Sequence, residues 1–112
     1  MNIEIIQIPK IENQNGNLAV IEKEAIPFEI KRVYYLYDVP SVAVRGGHAH
    51  KNLQQVLIPL SGSFDVVLKD GIEERIITLI KPATGLWIQS KILLALENFS
   101  SGAICLVLAS AV

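Results

Sequence analysis

The chain's two histidines stand one residue apart, in Arg45-Gly46-Gly47-His48-Ala49-His50-Lys51. Imidazole, with an unperturbed pKa of about 6.5, both takes and returns a proton near neutrality. No other side chain in this sequence is so well suited to proton transfer. On an extended strand residues i and i+2 project to one face, so the spacing predicts that both rings share one space. The glycine pair admits close backbone approach to a ligand, and the flanking Arg45 and Lys51 suit an anionic one. The competing reading, two histidines that merely decorate a strand, assigns those glycines and cations no role.

The elements that must position these rings read as strands. Short β-branched runs separated by turn residues recur roughly every 8 to 12 positions, the pattern of a β-sandwich or barrel, and no helical period interrupts them. Strands are predicted over Ile3–Ile8, Gly16–Glu22, Lys31–Tyr37, Val42–Val44, Gly47–Lys51, Gln54–Pro59, Ser63–Lys69, Glu73–Ile80, Gly85–Ile88, Leu93–Asn98 and Ala103–Ala109. Asp70-Gly71 marks a tight hairpin turn, because glycine supplies the positive φ such turns need. Asp38-Val39-Pro40-Ser41 and Leu60-Ser61-Gly62 mark two more turns. In Lys31–Tyr37, alternation sets Val33, Tyr35 and Tyr37 on one face and Arg32, Tyr34 and Leu36 on the other. The first face offers two phenols together, or simply packs a half-buried sheet.

Composition bounds the rest. A chain of 112 residues predicts one domain, 1–112, with a core large enough to fold without staples. Its 51% hydrophobic content predicts a surface partly covered by another subunit, a dimer. Ten basic and 11 acidic residues give a net charge of -1 with no basic run, which argues against nucleic acid as a partner. Cys105 is the only cysteine, so no internal disulfide can form; within Ala103–Leu108 it reads as a small core residue, and a cytoplasmic location fits best. Met1–Ile5 has neither a charged n-region nor a long apolar run, and no stretch reaches about 18 apolar residues, so neither a signal peptide nor a membrane span is expected.

Gly47-His48-Ala49-His50, four residues, Gln55, six residues and Gly62 together resemble the first signature of the cupin superfamily, with glutamine where a metal-binding cupin carries glutamate. The second signature falls on Gln89-Ser90-Lys91, Leu94 and Asn98, and only its asparagine is retained. A metal site needs several donors, and here a carboxylate has become an amide and an imidazole a leucine. The expectation is no metal and no cofactor, with both histidines free for acid–base work.

A narrower likeness runs through Gly16–Glu22, Ile26–Tyr35 and Arg45–Lys51, extended by Gln55, Gly62-Ser63-Phe64, Asp70-Gly71 and Asn98-Phe99-Ser100. On these residues the chain resembles, over about positions 16 to 110, the thymidine-diphosphate-sugar 3,4-ketoisomerases, the WxcM-like family of metal-free cupins. The resemblance implies an all-β, cupin-type jelly roll in a homodimer with exchanged N-terminal strands. It also implies conversion of a thymidine-diphosphate-linked 4-keto-6-deoxyhexose to its 3-keto isomer through an enediol. By that resemblance His50 is the principal base at sugar C3 and His48 its partner. Arg45 steadies the enediolate or holds the diphosphate. Tyr35 relays or orients a proton, with Tyr37 as its fallback, and Arg32, Tyr37, Lys51 and Gln55 contact nucleotide or sugar.

The chain departs from the family where Gln89–Leu96 replaces polar and aromatic wall groups with aliphatics, and where it stops at Ala109-Ser110-Ala111-Val112 instead of running into a Tyr- and Asp-rich tail. Altered substrate binding is one expected consequence. A second reading is therefore a non-catalytic sugar-nucleotide-binding or regulatory cupin with a degenerate pocket. A third, a metal-dependent cupin enzyme, is disfavoured by Gln55 and Leu94.

Overall fold

The structure, a computed structural model, describes residues 1–48 and 52–112, the side chains at positions 46–48 excepted. Among these residues there are strands and turns but no helix, hence no helix long and apolar enough to cross a membrane. Eleven strands form: β1 (Ile3–Gln7), β2 (Lys10–Asn13), β3 (Gly16–Ala19), β4 (Arg32–Leu36), β5 (Arg45–His48), β6 (Gln55–Ser61), β7 (Phe64–Lys69), β8 (Glu74–Leu79), β9 (Thr84–Ile88), β10 (Leu93–Glu97) and β11 (Ile104–Ala109).

A five-stranded sheet in the order β1-β9-β6-β11-β4 faces a four-stranded sheet in the order β5-β10-β7-β8. The space between them is filled from both sides. Leu57, Leu86, Ile88, Cys105 and Val107 come from the larger sheet, and Phe64, Val66, Leu68, Leu79 and Leu96 from the smaller. Burying a side chain such as Phe64, which stacks on Phe99 with ring centroids 5.0 Å apart, stabilises the fold by roughly 1.5–3 kcal/mol. The outer face of the larger sheet is half covered. Ile26, Phe28 and Ile30, from the segment leading into β4, pack on Val56, Ile58, Leu106, Leu108 and Trp87. Central strands buried on both faces explain why β6 reads as an unbroken apolar run, Val56-Leu57-Ile58.

Most strands match the sequence reading to within one or two residues at each end, and the clearest differences lie in the N-terminal half. Lys10–Asn13 is an unforeseen strand, paired with β3 through the two-residue connection Gln14-Asn15. Its Lys-Ile-Glu-Asn composition carries little strand propensity, and the turn geometry at Gly16, with φ of +125°, imposes the pairing. β3 stops at Ala19 rather than Glu22. Val42–Val44 forms no strand; Val42 and Val44 are exposed, with no neighbouring ladder to join. β5 begins earlier than expected, at Arg45. Leu94 pairs with His48 and Ala95 with Gly46, so Gly47 is an extra residue, a β-bulge that glycine accommodates. The Asp70-Gly71 turn is present as a loop over 70–73 whose first residue accepts, on Asp70 Oδ1, hydrogen bonds from the Ile72 and Glu73 amides. Gly62, at φ +66°, is obligatory in its turn, since a Cβ there would lie 2.9 Å from Ala103 and closer still to Ser100 Oγ.

Candidate active site

Alternation along β4 directs Arg32, Tyr34 and Leu36 into the space between the sheets, where Tyr34 and Leu36 pack against the core. The register brings this strand end beside β11 and β6. Ala109 pairs with Arg32 on one side and with Gln55 on the other. Because Ala109 carries only a methyl group, longer side chains on either flank meet across it. Gln55 Nε2 donates to Tyr34 Oη at 3.2 Å, and the Arg32 guanidinium lies over the Tyr34 ring, 4.9 Å from its centroid.

These residues open onto a cavity of about 390 Å³, lined by Arg32, Tyr34, Asn52, Leu53, Gln55 and Ala109 together with the C-terminal Ala111 and Val112. That volume lies within the range of small-molecule sites, about 300–1,000 Å³. Asn52 and Leu53, which line the cavity, are the first described residues after the His-Ala-His-Lys run. Burial raises the pKa of Tyr34, and Cys105 pushes the same way; the Arg32 charge and the Gln55 hydrogen bond oppose them without cancelling the effect. The phenol is thus protonated at neutral pH. With its oxygen accepting from Gln55, its own hydrogen remains available to a ligand.

The residues singled out in the sequence divide between two places. Arg32 and Gln55 line this cavity. Tyr35 and Tyr37 stand on the other face of the same sheet, 60% and 62% exposed, their rings 5.8 Å apart. They share a separate hollow of about 270 Å³ with Asp38, Val39, Pro40 and Arg45. Tyr35 is therefore not brought together with Gln55 or Arg32, and Tyr34 occupies that position instead. The signal for Tyr34 was present in the alternation, which set it on the face of Arg32. What was missing was the knowledge of which face turns inward. Position 48 lies on β5 opposite Leu94, whose side chain packs against the core. His50 and Lys51 lie outside the described residues.

Among the described residues no three His, Cys, Asp or Glu side chains gather as a metal ion would require. Gln55, at the glutamate position of the cupin pattern, spends its amide on Tyr34, and Leu94 presents an alkyl group at the histidine position. Cys105, on the inner face, is fully buried, and desolvation pushes its pKa to about 12, so the thiol is neither nucleophile nor ligand at neutral pH.

A family model described as FdtA: WxcM-like, C-terminal matches residues 1–112. A curated relative, the TDP-4-oxo-6-deoxy-alpha-D-glucose-3,4-oxoisomerase of Aneurinibacillus thermoaerophilus, is 44% identical over 111 residues, covering 98% of this chain and 80% of that protein. Among solved structures, a histidine-to-asparagine variant of a 3,4-ketoisomerase from Thermoanaerobacterium thermosaccharolyticum, in complex with TDP-4-keto-6-deoxyglucose, superposes with a TM-score of 0.94 at 44% identity, covering 97% of this chain and 80% of that one. A TDP-quinovose 3,4-ketoisomerase from Campylobacter jejuni superposes with a TM-score of 0.92 at 46% identity, covering 97% and 85%.

Proposed function

The chain belongs to the WxcM-like, C-terminal family, and from that premise we propose that it is an isomerase interconverting the 4-keto and 3-keto forms of a thymidine-diphosphate-linked 6-deoxyhexose. The observation that carries this reading is the meeting, in one cavity, of Arg32, Tyr34 and Gln55 with Asn52 and Leu53, which follow His48-Ala49-His50-Lys51 in the sequence.

The reaction needs no external oxidant, since only a proton and an electron pair move. A base takes the proton from C3, acidified by the adjacent C4 carbonyl. The C–H electron pair becomes the C3–C4 double bond, and the carbonyl oxygen becomes an enediolate oxygen that is protonated. The C3 hydroxyl then gives up its proton as C3 becomes the carbonyl, and a proton delivered to C4 completes the exchange. In this reading His50 is the principal base at C3 and His48 its partner, each working near the pH at which imidazole exchanges protons best. Tyr34, protonated and held by Gln55, donates its hydrogen to the developing oxyanion. Arg32, with planar donors beside the cavity, suits the diphosphate, as does Lys51. Arg45 stands at the start of the strand that carries His48, in the hollow it shares with Tyr35 and Tyr37, and in this reading serves the diphosphate or the enediolate.

The same reading makes the protein a homodimer with exchanged N-terminal strands. The hairpin of β2 and β3 supports it, since every residue of both strands is exposed, with Ile11 at 62% and Leu18 at 55%. An isolated two-stranded hairpin is only marginally stable in water. On this view Val33, Tyr35 and Tyr37, equally exposed on the outer face, belong to subunit contact rather than to chemistry. A sedimentation profile at the monomer mass would overturn the dimer. The reading places the protein in the cytoplasm, which a free, buried Cys105 supports.

Incubation with TDP-4-keto-6-deoxyglucose in deuterated water tests the chemistry. Deuterium is expected at C4 of the 3-keto product and, through the reverse reaction, at C3 of the recovered 4-keto sugar, and His50→Ala is expected to slow its entry by roughly 10²–10⁴-fold, the usual contribution of a positioned acid–base group. Tight binding with no exchange would instead favour a silent sugar-nucleotide-binding module.

A further inference from the structure

The entry to β6 poses a register problem. Gln54-Gln55 is followed by Val56-Leu57-Ile58. Alternation specifies a strand's facing only where successive residues differ in polarity, and a slip of one residue exchanges the faces. Here two identical amides precede an apolar run in which Val56 and Leu57 are both wholly buried, one outside and one inside the sheet. Slipped by one, Gln54 would enter the Arg32–Tyr34 cavity and Gln55 would turn away.

The bonds that hold the observed register converge on Gln54. Trp87 Nε1 donates to Gln54 Oε1 at 2.9 Å. The Gln54 amide donates to Ser110 Oγ at 2.8 Å, and the Ser110 amide donates back to the Gln54 carbonyl at 2.9 Å. One residue earlier, Ser90 Oγ donates to the Leu53 carbonyl at 3.3 Å. The ends of β9 and β11 thus grip Leu53 and Gln54, the two residues just before Gln55. Trp87 packs against the outer apolar cluster, so its bond to Gln54 is partly shielded from competing water.

We propose that Gln54 is a positioning residue. With Trp87 and Ser110 it sets the register by which Gln55 reaches Tyr34. Its kinetic consequence rests on the isomerase reading, whereas the register itself does not. Gln54 lies on the outer face and touches no ligand; loosening it misplaces groups that act in the transition state.

Gln54→Leu and Trp87→Phe are each expected to lower kcat by roughly 10-fold while KM changes by less than about two-fold, the result of a displacement of an ångström or less. The double variant is expected to lose no more than either single one, because both remove the same bond. Gln54→Glu, which keeps the acceptor for the indole, is expected to retain activity. Hydrogen exchange of peptides covering residues 52–57 is expected to quicken in the two damaging variants alone. Should Gln54→Leu fail to fold, Trp87→Phe, which keeps the apolar body, carries the test. Wild-type kcat or wild-type exchange in Trp87→Phe overturns the proposal, as does additive loss in the double variant or an equal loss in Gln54→Glu. If the wild-type protein puts no deuterium at C3 or C4 of the sugar, the isomerase reading falls and exchange alone decides the register.

Discussion

The two faces of β4 carry similar side chains and meet different fates. Inward, Tyr34 is half-buried, stacked beneath the Arg32 guanidinium and bonded to Gln55. Outward, one residue along, Tyr35 is 60% exposed and meets Tyr37. The phenol is the same in both places. What differs is the surrounding medium: on the inner face desolvation raises the pKa of Tyr34 and strengthens each hydrogen bond it makes. A side chain's chemical type therefore nominates a candidate, and the face of the strand decides its role.

The contrast breaks first in the core. Phe64→Ala, on the inner side, is expected to cost about 3–5 kcal/mol, whereas Tyr35→Ser in the isolated subunit is expected to cost less than about 1 kcal/mol; denaturant midpoints measure both. Equal losses would mean that the outer face is as tightly packed as the inner.

Activity sharpens the contrast next. Tyr34→Phe should reduce kcat for ketoisomerisation by roughly 10- to 100-fold, the scale of one lost oxyanion donor. Tyr35→Phe should leave it unchanged, and a reversed ranking would return the catalytic tyrosine to the outer face.

Alkaline pH probes the inner face again. Cys105 titrates at about 12 when folded, above its ordinary value near 8.5. A group raised on folding contributes stability that is complete below the unfolded pKa and disappears as the pH climbs through the folded one. The Cys105 contribution should thus decline between about pH 8.5 and 12, and Tyr34, raised likewise, adds to the decline above about pH 10. Cys105→Ala should flatten the lower part of that slope in urea melts. Iodoacetamide should leave the native thiol unmodified at pH 8.

The smallest effect belongs to the exposed loop over 70–73. The Glu73 and Ile72 amides hold the Asp70 carboxyl below the usual carboxylate range. A lowered value means stability that is present above the unfolded pKa, about 3.9, and lost as the pH falls through the folded one. Asp70→Asn should remove that acid dependence with little change at pH 7, as acid titration of the melting temperature would reveal.

Much of the fold was legible along the chain. The β-branched runs announced most of the strands, the Asp-Gly and Ser-Gly pairs their turns, and the Arg-Gly-Gly-His-Ala-His-Lys string the family. Lys10–Asn13 was hidden because its residues have weak strand propensity and only the turn at Gly16 pairs them with β3. Val42–Val44 misled for the opposite reason: the right residues stand where no partner strand runs. In the site, Arg32 and Gln55 were readable as polar groups on candidate pocket strands, but their meeting was not, because it spans β4, β11 and β6 and depends on the small Ala109 between them.

By itself the sequence determined the class of chemistry, since imidazole, phenol and guanidinium are properties of residues, and it determined the all-β framework, since periodicity and turn residues act locally. Only the tertiary structure decided which tyrosine faces the cavity and which of two adjacent glutamines reaches it. A strand has two faces of equal standing until another sheet covers one of them, and a run such as Gln54-Gln55-Val56-Leu57 carries no contrast from which to choose.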